Sequence, residues 1–379
     1  TYGPLVYHQL GETPRVYGQQ EAYTRFFADL DEGQQLIREY LDEGGDNNKF
    51  KEYDMLTNGK TLKEWLKFAN SLRLRLAMRI SNVDATLAKD QATKALNDNQ
   101  GVLEGARETI AVMGKNYINP LCAVAGWGEV YMNASMESIV NGYEDPRGKK
   151  WYNTALLEGY QKQLLGIPIG LPMKDGDANI YSFCSSLNTS TIGEKTGAVL
   201  MSAAEVWLLR AEAALRGYTK ENPRTCYEYG VSTSFTQWDC AGASEYLESD
   251  KTPADYKDVV SGGKVGKDMK ALITISPKWE EDADIETKLE KIITQKWLAC
   301  WPESYEAWAE QRRTGYPKLF KVQNNTGKVI DTDIMIRRLP FSTDAATADP
   351  AQYATLTEKL GGADNGATRL WWDTGKNSF

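Results

Sequence analysis

The chain has 379 residues, 41% of them hydrophobic and 25% charged, enough for a sizeable core in one large or two to three smaller domains. Its formal charge of −8 argues against nucleic acid or anionic lipid as a direct partner. No apolar run approaches the length of a membrane span.

The sequence begins at Thr1 with "TYGPLVYHQLGETPRVYG", which lacks the basic start and apolar centre of a signal peptide. A mature or truncated product is expected. Helical periodicity then dominates. In "TLKEWLKFANSLRLRLAMRIS" (61–81), Trp65, Phe68, Leu72, Leu76 and Ile80 recur every three or four residues and define one apolar face. Lys63, Lys67, Arg73, Arg75 and Arg79 fall largely elsewhere and read as a solvated face with packed aliphatic stems, in preference to an anion site.

Residues 114–200 are different. They are rich in Gly, Pro, Asn and Ser with aromatics set among them, and an irregular stretch this long is usually functional. Within it, Asp175-x-Asp177-x-Asn179 begins like a calcium loop, but Ile180 replaces the required glycine and Ser186 the bidentate glutamate, so a solvated turn is favoured. Helix resumes at "AAEVWLLRAEAALRG" (203–217), with Ser202 and Glu205 as a capping box, Gly217 as the stop and a run of alanines for close helix approach. A helical hairpin follows. "IETKLEKIITQKWLAC" (285–300) carries Ile293 and Trp297, with Trp301 next in the same four-residue step, Pro302 breaks it, and "ESYEAWAEQRR" (303–313) runs to Thr314-Gly315. The spacing assigns Trp297 and Trp308 to core packing between facing stripes, away from ligand. Residues 321–379 are again irregular, apart from a helical period around "PAQYATLTEKL".

Catalytic motifs are scarce. His8 is the single histidine, which removes most Ser-His, Cys-His and His-metal chemistry. The five cysteines show no Cys-x-x-Cys spacing and read mostly as buried small hydrophobes. "LTNGKT" has Asp54 where a phosphate loop needs its first glycine, and "AGWGEV" lacks the third glycine of a dinucleotide fingerprint. No catalytic residue, metal ligand or cofactor is implied. A glycosidase would need two carboxylates in an aromatic cleft, and nothing points to such a pair. Sugar binding needs only rings that stack on pyranose C–H faces, with polar groups at the edge. The loop aromatics Trp127, Tyr131, Tyr143, Trp151, Tyr152, Tyr181 and Phe183 are where such rings are expected. Of these, Trp127, Tyr131, Trp151, Tyr152 and Tyr181 form the candidate ligand set.

Several segments also carry a family likeness: "LKEWLKFANSLRLRLAMRIS", "AEVWLLRAEAALRG", "QKWLACWPESYEAWAEQRRTGYPKL", "IRRLPF", "TRLWWD", "FFADLDEG" (26–33), "EDPRGKKWY" (144–152) and "YEYGVSTSFTQWD" (227–239). Spread over nearly the whole chain, they resemble the SusD/RagB family of outer-membrane lipoproteins, in its SusD-like branch. The resemblance implies a mainly α fold. Tetratricopeptide-like hairpins would form the scaffold (mainly 18–112, 200–247 and 283–320), with ligand-side loops at 114–200 and 321–379 of a single domain spanning 1–379. It implies a non-catalytic, surface-exposed protein on the outer membrane, held only through a lipid anchor outside this sequence. Such a protein acts as the lid of a SusC-like TonB-dependent transporter and captures oligosaccharide or, in some members, peptide. The family's signal peptide, lipobox cysteine and first helical portion do not occur in this sequence, and Phe341-Ser342 departs from its usual aromatic-proline step. A helical-repeat adaptor and a glycosidase stand as the alternatives.

Overall fold

Helices carry the architecture, and short-range signals mark the ends of several of them. The structure is a computed structural model. It describes residues 1–379 apart from 9, 10, 58, 115, 173–177, 328 and 377. The first helices are α1 (Gln19–Asp42), α2 (Leu62–Arg79) and α3 (Ala85–Leu96). Three shorter ones follow: α4 (Pro120–Gly126), α5 (Ala134–Gly142) and α6 (Gly148–Trp151). The next group is α7 (Ala203–Leu215), α8 (Pro223–Gln237) and α9 (Ala243–Leu247). Then come α10 (Ile285–Ala299), α11 (Ser304–Thr314), α12 (Ala345–Ala348) and α13 (Pro350–Leu360). Two small antiparallel ribbons complete the fold, β1 (Leu5–Tyr7) with β2 (Arg15–Tyr17) and β3 (Ile110–Val112) with β4 (Ala198–Met201).

Helix α2 opens with a full capping box between Thr61 and Glu64. Helix α7 keeps half of the expected one. The Ser202 hydroxyl accepts the Glu205 N–H at 3.1 Å, but the Glu205 carboxylate turns to Arg75. Gly315 ends α11 in the left-handed region at φ 81°, where a side chain would be strained. Helix α10 stops at Ala299 with Cys300 as its cap, so Trp301 lies in the turn and not on the helix as the spacing predicts.

The principal core joins α5, α7, α8 and α10. Met136, Ile139 and Val140 meet Leu208, Ala211, Tyr227, Val231 and Phe235, with Leu289, Ile292 and Ile293 behind. The α7–α8 approach is close enough that a Cβ on Gly230 would stand 2.6 Å from Leu208 Cγ. A second core lies between α2, α3 and the opposite side of α7, built on Leu74, Ala77, Met78, Ala92, Ala95, Val206 and Leu209.

Two expectations change here. The buried side of α2 runs through Leu66, Leu74, Ala77 and Met78, while Trp65, Phe68, Leu72 and Leu76 are half-buried. Of the basic residues of α2, Lys63 is exposed and Lys67 half-buried, but the three arginines are not a solvated face. Arg73 and Arg79 are buried and Arg75 nearly so. Arg75 holds Glu205 at 2.5 Å, Arg79 holds Glu306 at 2.6 Å, and Lys296 holds Glu306 at 2.8 Å. Helix α2 is enclosed on several sides, and its guanidinium groups are neutralised by carboxylates from α1, α7 and α11. Burial pushes the Glu306 carboxyl up, yet Arg79, Lys296 and Arg75 overcome this and hold it at about 2.

The 114–200 stretch is irregular but firmly attached. Helix α5 is buried along seven consecutive residues, Ala134 to Val140. Single bridges tie Tyr131 to Ser186, Asn133 to Ile167 and Tyr152 to Leu187. All five cysteines are free, and Cys184, Cys226 and Cys300 are buried. No described helix is long and apolar enough to cross a membrane.

Candidate functional site: an aromatic cavity beside the α10–α11 hairpin

The α10–α11 hairpin turns sharply at Trp301–Pro302, so ring-bearing faces of both helices end up beside the 119–133 segment. Between them lies a cavity of about 310 Å³. Five aromatic side chains line it: Trp297 from α10, Trp301 from the turn, Trp308 from α11, and Tyr131 and Tyr152 from the middle segment. Leu121, Val130, Leu187, Leu319 and Met335 add apolar surface, and Asn133, Glu303, Ser304 and Gln311 add polar groups.

Trp301 and Trp308 are fixed by what stands behind them. Trp301 stacks on Trp151 with centroids 5.2 Å apart and planes 20° from parallel. Its indole N–H donates to the Tyr152 hydroxyl at 3.1 Å. Trp238 closes the group edge-on at 5.2 Å. The Trp308 indole N–H donates to the Ile336 carbonyl at 3.2 Å, and the Arg312 guanidinium lies 3.5 Å from its ring centroid. Met335, one residue before that carbonyl, sits at φ 55°, a costly conformation for a non-glycine residue.

The residues expected from sequence separate into three groups. Tyr131 and Tyr152 do line the cavity. Trp151 and Tyr181 do not: both are 0% exposed and have no ring face to offer a ligand. Trp151 is committed to Trp301 and Trp238. The Tyr181 hydroxyl donates to Asp258 at 3.1 Å and accepts the Gly266 N–H at 3.0 Å. Tyr143 is likewise buried, its hydroxyl donating to the Ile275 carbonyl. Trp127 is the opposite case, 69% exposed at the end of α4. It stands between Leu121 and Val130, both of which line the cavity, so it sits on the segment that forms one wall.

Trp297 and Trp308 correct the sequence reading from the other direction. Packing on the scaffold leaves both half-buried, with ring surface in the cavity. Their spacing alone reads as a core stripe. The available signal was residue type, since a stripe carrying Trp297, Trp301 and Trp308 holds more ring surface than a helix seam needs.

The other motifs resolve simply. The Asp54 carboxylate accepts the amide N–H groups of Leu56, Thr57, Gly59 and Lys60, so "LTNGKT" wraps its own anion. Asp175 and Asp177 of the calcium-like loop lie outside the described residues, and Asn179 caps the turn at 180–183. Among the described residues, no cluster of three or more His, Cys, Asp or Glu is placed to hold a metal ion.

The family model described as SusD-like, "Susd and RagB outer membrane lipoprotein", matches residues 1–373. A SusD homologue from Bacteroides vulgatus superposes with TM-score 0.96 at 56% identity, the match covering 100% of this chain and 76% of that one. A chitin-binding SusD homologue from Flavobacterium johnsoniae gives TM-score 0.92 at 35% identity, over 100% and 78%. A SusD-like protein from Bacteroides thetaiotaomicron gives 0.89 at 32%, over 98% and 77%. Among proteins with curated descriptions, none matches. On this likeness, which runs through almost every residue, the chain belongs to the SusD-like family of outer-membrane lipoproteins.

Proposed function

We propose that the aromatic cavity captures an oligosaccharide. The protein, lipid-anchored and exposed at the outer-membrane surface, then presents that glycan to a SusC-like TonB-dependent transporter. The observation that carries this reading is the convergence of Tyr131, Tyr152, Trp297, Trp301 and Trp308 on one cavity. Pyranose rings offer apolar C–H faces to such rings, and the rim supplies Asn133, Ser304 and Gln311 for hydroxyl groups. At about 310 Å³ the cavity suits a short stretch of a longer glycan. The chitin-binding neighbour, 35% identical, supports a glycan ligand. Among the described residues Glu303 is the single carboxylate in the lining, whereas hydrolysis by a glycosidase employs two, which supports capture without cleavage.

Calorimetry with a panel of oligosaccharides and short peptides tests this. Sugar binding that is lost in Trp297→Ala and Trp308→Ala supports the reading. Peptide binding without sugar binding would replace it, a reading favoured by the aliphatic side of the lining at Leu121, Val130 and Leu319. Hydrolysis of the bound glycan would overturn it.

A further inference from the structure

Among the described residues, Glu303 of the hairpin takes no part in the scaffold's ion pairs. Glu303 stands in the turn between α10 and α11. One of its oxygens accepts the Glu306 N–H at 2.9 Å and caps α11. Among the described residues, no hydrogen bond or ion pair reaches the other oxygen. Its neighbours are placed differently: Glu205 is held by Arg75, Glu306 by Arg79 and Lys296, and Glu310 by Arg79 and Arg313. Glu303 instead borders the aromatic cavity, next to Ser304 and within the same lining as Gln311. The Gln311 side-chain amide makes no hydrogen bond among the described residues.

We propose that Glu303 selects the ligand of the aromatic cavity by accepting an N–H, so that the preferred glycan contains an N-acylated amino sugar. This deepens the glycan-capture reading and rests on it. Glu303 is half-buried, so a ligand that seats over it displaces water from this oxygen and must supply a donor in its place, and leaving it unsatisfied on binding is costly. A sugar hydroxyl can turn to donate or accept and is tolerated in many settings. An acylamino N–H only donates, its carbonyl only accepts and can use the Gln311 amide, and its methyl group matches the aliphatic part of the lining.

The charges around Glu303 make this readable. Burial raises its carboxyl first and the Glu306 charge second, with Arg75 opposing, and it titrates near pH 7. From α2, Arg75 and Arg79 are shifted further up. From α10, Lys296 and the Cys300 thiol are shifted up as well. On α11, Glu306 is held at about 2 and Glu310 well below its ordinary value. Glu205 of α7 is tied to Arg75, and the Tyr152 hydroxyl is raised to about 12. In the adjoining cavity, which Glu303 also borders, Arg312 is lowered to about 9. Glu303 is therefore the group of this set that changes charge between pH 6 and 8.

An ionised acceptor bonds an N–H more strongly than a neutral acid does. Affinity for the acylamino sugar is expected to tighten as pH rises through 7.

The experiment is calorimetry on the full chain at pH 6 and pH 8 with three matched β-1,4-linked series: N-acetylglucosamine, glucosamine and glucose oligomers. Wild type is compared with Glu303→Gln, which keeps an oxygen to cap α11. The N-acetylated series is expected to bind about tenfold more tightly than the glucose series at pH 8, the scale of one hydrogen bond to a charged group. The preference should narrow at pH 6, and Glu303→Gln should abolish the pH dependence. Should that variant fail to fold, proton release on ligand binding by wild type near pH 7 reads the same event. Equal affinity for the N-acetylated and glucose series would overturn the proposal, as would an unchanged pH profile in Glu303→Gln. Tightest binding of the glucosamine series would also overturn it, pointing to an ammonium in place of an acylamino group. If the sugars still bind and Trp308→Ala abolishes it, such a result removes the Glu303 assignment alone. Binding of no sugar by wild type removes the capture reading with it.

Discussion

Arg313 and Glu212 meet across α11 and α7 through two hydrogen bonds, of 2.7 and 2.6 Å, and neither side chain reaches solvent. Arg216 shares Glu212 at 2.9 Å, and Glu310 shares Arg313. Burial alone would disfavour all of these charges. Their mutual attraction offsets that cost only while each keeps a partner.

Removing one partner should therefore be severe. Arg313→Met leaves Glu212 and Glu310 short of a counter-charge and is expected to cost about 3–5 kcal/mol of folding stability. Urea denaturation of the variant beside the parent measures it. A loss under about 1 kcal/mol would show that the network is not fully desolvated.

Trp151 and Trp297 should part company. Trp151→Ala opens a void behind Trp301 and is expected to lose about 3–5 kcal/mol of stability. Trp297→Ala removes a half-buried ring and should cost less stability while weakening glycan binding roughly tenfold. Melting and titration of both variants would separate the two effects, and a stable Trp151→Ala would refute the packing role.

Trp127 is expected to matter for long ligands only. Its exposed ring makes Trp127→Ala nearly neutral for stability, within about 0.5 kcal/mol. Because its segment forms one wall of the cavity, affinity for longer oligosaccharides should fall several-fold while short ones bind as before. Calorimetry over a chain-length series decides it. Uniform affinity across that series in the variant would remove Trp127 from the site.

A buried acid gives the protein a pH signature. Glu137 accepts the Gly166 N–H at 2.5 Å, yet its burial pushes the carboxyl up to about 8 from an ordinary 4.5. The folded state then holds this proton more tightly than the unfolded chain does. The resulting stabilisation is full below pH 4.5 and declines as pH rises towards 8. Thermal melts from pH 5 to 9 should show wild type falling relative to Glu137→Gln, by on the order of 1–3 kcal/mol. Parallel curves would contradict the assignment.

The α7–α8 contact has no spare room. Gly230→Ala places a methyl group 2.6 Å from Leu208 Cγ and is expected to cost about 1–3 kcal/mol through forced repacking. Hydrogen exchange on α8 would register the loosening, and unchanged protection would argue against it.

What sequence reveals follows the range of the interaction. Helices α2, α7, α10 and α11 were legible because apolar period, caps and Gly315 are local signals. The partners of the α2 arginines were not: Asp31 lies 42 residues from Arg73, and Glu306 lies 227 from Arg79. The site divides in the same way. Tyr131 and Tyr152 were identifiable as rings in an irregular stretch. The same rule misplaced Trp151 and Tyr181, because Trp301 and Asp258, which bury them, are remote in sequence. For Trp297 and Trp308, helical spacing concealed that one indole can serve scaffold and cavity together.

The clamping of Trp301 and Trp308 has a kinetic and evolutionary side. Trp301 is held by Trp151 and Tyr152, and Trp308 by Ile336 and Arg312. These indoles have already surrendered their rotamer freedom in the unliganded protein, so capture need not spend binding energy on ordering them. A preorganised platform of this kind favours rapid association with little rearrangement. It also confines adaptation. Changing the hairpin to suit a new sugar would disturb the fold, whereas the wall around Trp127 can be rewritten cheaply. Relatives with other diets should therefore differ first between residues 119 and 133.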